Sequence, residues 1–267
     1  MSECIREFYI ENGEIRSIDN WVEEREGKMV YEVMRIINGR PLFYDEHYDR
    51  MINSFKISKF KFEFDRNQIR NYIEELVSEN KIKIGNIKIT YNMQTKTLRI
   101  FLIKHKYPTE DMYREGVKTV LYFGERENPN AKVINNSFRE GVNNRLKETD
   151  SYEGILVDRN NYITEGSRSN IFMIKNNSIY TSKIEAVLPG VTRNEIICVA
   201  KENGIEVIEE NVKYTELEMF DALFISGTSP NILPIKSVGE LKFNVKNTLL
   251  RELMRLFNEK IAKSIEE

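Results

Sequence analysis

The chain has 267 residues, with 40 basic against 42 acidic side chains and a net charge of −2. That balance, without a long block of one sign, excludes an electrostatic reader of nucleic acid or of an acidic membrane surface. No apolar run approaches the ~18 residues of a membrane helix, and Met1-Ser2-Glu3-Cys4-Ile5-Arg6-Glu7 has no apolar signal core, so a soluble, cytoplasmic protein is expected.

Two cysteines, Cys4 and Cys198, lie far apart without a neighbouring Cys or His, which reads as free thiols in a reducing compartment. His47 and His105 are the only histidines, which argues against a His-rich metal site and a Ser-His-Asp triad; no metal is expected.

In chain order, Glu11-Asn12-Gly13 marks a hairpin within the first ~20 residues. A second hairpin is predicted from Met29 to Ile37, a type I′ turn at Asn38-Gly39, and Pro41 to Tyr44. Asp45 and Glu46 open a helix to about Ile57, where acidic side chains suit the positive end of the dipole. A second helix spans Arg66 to Glu79, and strands follow at Asn86 to Tyr91 and Leu98 to Lys104. An N-terminal α+β domain over 1–106, a linker over 107–116 and a larger α/β domain over 117–267 are the expected organisation.

The second domain opens with a strand, Val117 to Phe123, then a turn with Asn128-Pro129-Asn130, then a helix from Phe138 to Thr149. Strands are expected at Gly154 to Val157, Asn170 to Ile174 and Ile205 to Glu209, with a helix beginning at Thr192. Thr192-Arg193-Asn194-Glu195 reads as a capping box. A last strand, Ala222 to Ser226, precedes Gly227-Thr228-Ser229, and an amphipathic helix from about Val245 ends the chain.

Three segments carry chemistry. Tyr162 to Phe172 is an extended stretch that ends on one carboxylate, Glu165, faces a polar turn, and resumes at Asn170. Leu188-Pro189-Gly190-Val191-Thr192-Arg193 runs through a Pro-Gly turn into a helix, whose free N–H groups make a ready anion site. Ile225-Ser226-Gly227-Thr228-Ser229 follows an apolar strand. In this order they resemble the class IV aminotransferases, the pyridoxal-phosphate enzymes that include branched-chain and D-amino acid aminotransferases and aminodeoxychorismate lyase.

The resemblance implies an α/β, two-domain enzyme of fold type IV, D-amino acid aminotransferase-like, with pyridoxal 5'-phosphate between the domains. Lys132 in Lys132-Val133-Ile134-Asn135 is similar to the family's Lys-x-x-Asn, 33 residues before Glu165, and is implied to bind the cofactor covalently and act as general base and acid. Glu165 is implied to face the pyridine nitrogen, and the amides of Val191 and Thr192, with the Thr228 hydroxyl, to hold the phosphate. Arg50 in Glu46-His47-Tyr48-Asp49-Arg50 matches Glu-His-x-x-Arg and is implied to add a charged fork, with His47 a packing or hydrogen-bonding neighbour.

Tyr31, in Tyr31-Glu32-Val33, matches the family's substrate-facing tyrosine. The D-amino acid enzymes' Arg-Gly dipeptide is absent where Asn92-Met93-Gln94 stands, and the branched-chain enzymes' tyrosine is replaced by Ser137. The substrate, its stereochemistry and the group holding its carboxylate therefore stay open. The implied activity is amino-group transfer between an amino acid and a 2-oxo acid by a homodimer. The alternatives are a lyase that forms 4-aminobenzoate and pyruvate, and a catalytically silent binding protein of the same fold.

Overall fold

The computed structural model describes residues 3–23, 27–126, 129–132 and 136–266. Two compact units emerge: Met1–Lys106 with Ala131–Ile134 and Ile261–Glu267, and Tyr107–Asn130 with Asn135–Lys260. Val133, Ile134 and Asn135 of the Lys-x-x-Asn segment, and Asn128 of the expected turn, lie outside the described residues.

In the first unit, β1 (Phe8–Glu11) and β2 (Glu14–Ser17) meet at Asn12-Gly13, and β3 (Met29–Ile37) and β4 (Arg40–Pro41) meet at Asn38-Gly39. The φ angles are 51° and 89° in the first turn and 51° and 79° in the second. That left-handed pair is what a type I′ turn demands and what Asn-Gly adopts at low cost. The second hairpin is shorter than expected. Its return strand ends at Pro41, and helix α1 (Tyr44–Ile57) begins right after Phe43.

Helix α2 (Arg66–Glu79) starts on a capping box. The Asp65 carboxylate accepts from the Asn67 and Gln68 amides, and the Gln68 side chain accepts from the Asp65 amide. With β5 (Ile84–Asn92) and β6 (Thr97–Ile103), the strands form an antiparallel sheet in the order β2-β1-β6-β5-β3-β4. Met51 and Phe55 of α1 and Ile69, Ile73 and Leu76 of α2 pack with Met34, Ile36, Ile87, Ile89, Leu98 and Ile100 of the strands. Each such side chain contributes about 1.5–3 kcal/mol by leaving water.

The second unit contains α3 (Glu110–Glu115), β7 (Val117–Phe123), α4 (Asn136–Thr149), β8 (Glu153–Val157), β9 (Ile163–Gly166), β10 (Asn170–Lys175) and β11 (Ser178–Thr181). Then come α5 (Val191–Glu202), β12 (Val207–Glu209), β13 (Ala222–Gly227), β14 (Asn231–Val238) and β15 (Leu241–Lys242); α6 (Thr248–Glu266) ends the chain. The sheet order is β12-β11-β10-β13-β14-β7-β8-β9, with β15 on β14. It curls until its edge strand β9 returns to β10 through the turn at Gly166–Ser169, closed by the Gly166 amide on the Ser169 carbonyl at 2.8 Å. Phe172 and Phe224, cross-strand partners on β10 and β13, stack with centroids 4.8 Å apart.

Three features depart from the sequence reading. Strand β14 follows what was expected to be the last strand; Pro234 hides it, yet sits one residue ahead of the first β7 partner, Ile235 opposite Val117. Within the stretch read as a linker, 107–116, α3 is capped by Thr109, and the Tyr113 hydroxyl donates to the Pro230 carbonyl at 3.0 Å. The capping box at Thr192–Glu195 does not form. Gly190 is the N-cap, the Asn194 amide donates to the Gly190 carbonyl, and Thr192 lies inside the first turn, where it cannot cap.

No described helix is long and apolar enough to cross a membrane. Among the described residues no group of three or more His, Cys, Asp or Glu side chains is placed to hold a metal ion.

Candidate active site

In the first unit, a polar stripe on α1 faces β3. His47, Arg50 and Ser54 recur at helical spacing beside the core residues Met51 and Phe55, and all three are buried. Opposite them Glu32, wholly buried, interrupts the apolar run of β3. Arg50 Nε donates to Glu32 Oε1 at 2.9 Å and Arg50 Nη2 donates to Oε2 at 2.6 Å. The fork that the sequence suggested for a phosphate thus lies on Glu32, and only Nη1 of Arg50 makes no hydrogen bond to a described residue.

His47 Nδ1 stands 3.0 Å from Glu32 Oε2. Burial pushes the imidazole down to about 4, outweighing the raising effect of the Glu32 hydrogen bond, so it is neutral at pH 7. A neutral ring that donates from Nδ1 makes this a hydrogen bond rather than a salt bridge, and the 3.3 Å approach of Arg50 Nη2 to the same nitrogen is then only a contact. Burial alone would raise the Glu32 carboxyl, but the Arg50 and Lys132 charges and the hydrogen bonds of His47 and Arg50 hold it well below the usual carboxylate range.

Lys132 joins this group. Its Nζ lies 5.3 Å from the centre of the Tyr31 ring, its carbonyl accepts from the Tyr31 amide at 3.1 Å, and its amide donates to Ser54 Oγ at 3.2 Å. Lys132, Tyr31 and Arg50, three of the expected site residues, therefore belong to one neighbourhood.

In the second unit, the other expected residues come together through Asn170. This residue starts β10, pairs across to Ser226 on β13, and donates from Nδ2 to the Leu188 carbonyl at 2.9 Å. It also reaches Glu165 Oε2 at the long distance of 3.5 Å. A Cβ on Gly190 would lie 2.0 Å from Asn170 Oδ1, so only glycine fits there. One asparagine thus binds the end of β9, the loop before α5 and the end of β13, which carry Glu165, Val191 with Thr192, and Thr228.

Glu165 is buried. Its Oε2 accepts from the Leu188 amide at 3.0 Å, and its Oε1 lies 3.1 Å from Arg126 Nε. The Arg126 contact is an ion pair without hydrogen-bond direction, because that N–H points elsewhere; Arg126 Nη2 instead donates to the Ser167 carbonyl at 2.7 Å. The turn beyond Glu165 is organised by a second buried carboxylate, Glu153. It accepts from the amides of Gly154, Ser167 and Arg168 and from the hydroxyls of Ser167 and Ser169, at 2.5–3.3 Å.

Glu32, Ser54, Arg126, Glu153 and the linking role of Asn170 were not found from the sequence. Glu32 had a signal, as an acidic residue inside a largely apolar strand. The others depend on partners distant in the chain.

The sequence profile of the family described as "Amino-transferase class IV" matches residues 29–238. A D-alanine aminotransferase of Listeria monocytogenes is 29% identical over 259 residues, covering 90% of this chain and 89% of that protein. A branched-chain-amino-acid aminotransferase of Pseudomonas aeruginosa is 27% identical over 214 residues, covering 73% and 70%. Among solved structures, the branched-chain amino acid aminotransferase from Escherichia coli superposes with a TM-score of 0.85 at 22% identity, covering 96% of this chain and 95% of that one.

Proposed function

Because the chain belongs to the class IV aminotransferase family, we propose that it moves an amino group between an amino acid and a 2-oxo acid with pyridoxal 5'-phosphate as cofactor. The second unit offers what such a group requires. A buried carboxylate ends β9, no side chain caps the first turn of α5, and the glycine before that turn admits no side chain. The uncapped amides of Val191 and Thr192 would take an anionic phosphate at the positive end of the helix, with the Thr228 hydroxyl beside it. Lys132 would hold the cofactor covalently. Bound there, the cofactor supplies the electron sink for bond breaking at the substrate's α-carbon.

The chain's own residues supply the rest. Glu165, buried at the end of β9, would face the pyridine nitrogen and favour its protonated form. Lys132 Nζ takes the proton from the substrate's α-carbon and later returns it, for which the amine must first be neutral. Tyr31 closes one side of that amine and offers its ring to the substrate. The relatives divide between D-alanine and branched-chain-amino-acid aminotransferases. A homodimer in the cytoplasm completes the proposal, and light scattering tests the assembly.

The observation that carries it is the junction at Asn170, which gathers three motif segments that are far apart in the chain. The test is a half-reaction screen. Some amino acid in a broad panel should bleach the visible band of the loaded protein stoichiometrically, and a 2-oxo acid should restore it. Catalytic pyruvate release from aminodeoxychorismate, with no amino acid bleaching the band, would replace amino-group transfer by the lyase reaction.

A further inference from the structure

Strand β4 pairs with Ile36 and Ile37 of β3. Further along the same strand, at Tyr31, the backbone meets Lys132, which accepts the Tyr31 N–H on its carbonyl at 3.1 Å. On the other side of the same Cα, the Lys132 N–H donates to Ser54 Oγ at 3.2 Å. Ser54 is completely buried, and its hydroxyl proton is committed to the Arg50 carbonyl at 3.1 Å. A hydroxyl has one donor and two acceptor sites, so this back-bond into the helix fixes the direction in which Oγ can accept.

We propose that Ser54 is a positioning residue for Lys132, the helical half of a two-point backbone clamp whose other half is the Tyr31 N–H of β3. The proposal rests on Lys132 being the cofactor-bearing lysine. Its physical basis is reach. Nζ stands at the end of a long side chain, so a small shift at Cα displaces the reacting nitrogen, and a misplacement of ~1 Å can cost about a hundred-fold in rate. A clamp on both sides of one Cα fixes where the side chain starts and which way it leaves. Ser54 touches neither substrate nor cofactor in this scheme and acts only through Lys132.

The experiment uses Ser54→Ala, which deletes one oxygen, and Ser54→Thr, which keeps the hydroxyl. In the cofactor-free proteins, hydrogen exchange resolved to single residues should be roughly two- to ten-fold faster at the Lys132 amide in Ser54→Ala, the range one neutral hydrogen bond controls. Exchange in β5 and β6 should not change, and Ser54→Thr should return the Lys132 amide to within about two-fold of the parent. In the loaded enzymes, Ser54→Ala should lower kcat about ten-fold with KM within about two-fold, and displace the pH midpoint of the visible band. Unchanged exchange at Lys132 overturns the clamp. Faster exchange with kcat, KM and pH midpoint all unmoved overturns the positioning role. Borohydride reduction and peptide mapping stand apart from both: a pyridoxyl label on another lysine overturns the reading of Lys132, whatever the exchange shows.

Discussion

Glu32 and Glu153 are both buried carboxylates beside residues of the candidate site, and they are held by opposite means. Glu32 is met by a guanidinium and a neutral imidazole, so its charge depends on one cation, Arg50, with Lys132 adding a second positive charge nearby. Glu153 accepts five hydrogen bonds from amides and hydroxyls, with no side-chain cation among these donors. A charge balanced by one partner concentrates the risk in that partner. One solvated by many neutral donors spreads the risk over a turn, and so shapes the turn. The first arrangement fixes how α1 sits on β3; the second fixes the loop that presents Glu165.

The sharpest way to break this contrast is Arg50→Leu. Removing one partner of a buried pair leaves an uncompensated charge and should destabilise the protein by about 3–5 kcal/mol in urea unfolding. Adding Glu32→Gln should recover much of that loss. A single-variant cost below ~1 kcal/mol would mean that Glu32 is not charged as described.

His47 sets the next effect. In the unfolded chain it binds a proton below about pH 6.5, whereas in the folded chain it does so only near 4. The unfolded state therefore binds more protons within that window. Stability should be full above about pH 6.5 and fall by up to ~3 kcal/mol as the pH drops towards 4. His47→Asn, which keeps a donor near the Nδ1 position, should flatten this slope; an unchanged slope would place the titration elsewhere.

Glu153→Gln replaces one acceptor oxygen with an NH₂ that faces donors. A cost of about 1–3 kcal/mol is expected, with a weakened cofactor affinity because the turn beyond Glu165 loosens. Loss of stability with unaltered affinity would separate Glu153 from the site. Smallest is Thr228→Val, which deletes one proposed phosphate contact and should weaken cofactor binding by roughly two- to ten-fold in a fluorescence titration, without loss of stability.

Much of the fold was legible because its signals are local. The Asn-Gly pairs marked both hairpins, and the α2 boundaries followed from apolar spacing over Arg66–Glu79. β14 was not legible, because a proline inside a central strand is normally a counter-signal and only the register of β7 makes Pro234 harmless. The false capping box had the right residue types at the right spacing, but the chain enters the helix at Gly190, earlier than that pattern allows.

The site divides in the same way. Glu165 was visible as a strand-end carboxylate in a run of small polar residues. Ser54 was not, since its partner Lys132 is 78 residues away and a mid-helix serine carries no sign of what it meets. Arg126 pairs with Glu165 from a segment without a motif, and only the fold brings them together.

The most direct test of amino-group transfer is to follow the nitrogen. The loaded protein is mixed with a ¹⁵N-labelled amino acid that bleaches its visible band and with an unlabelled 2-oxo acid, and the products are analysed by mass spectrometry. The label should appear in the amino acid made from the 2-oxo acid, and Lys132→Ala should abolish the transfer. Label released as ammonia, or transfer that survives in Lys132→Ala, would contradict the account.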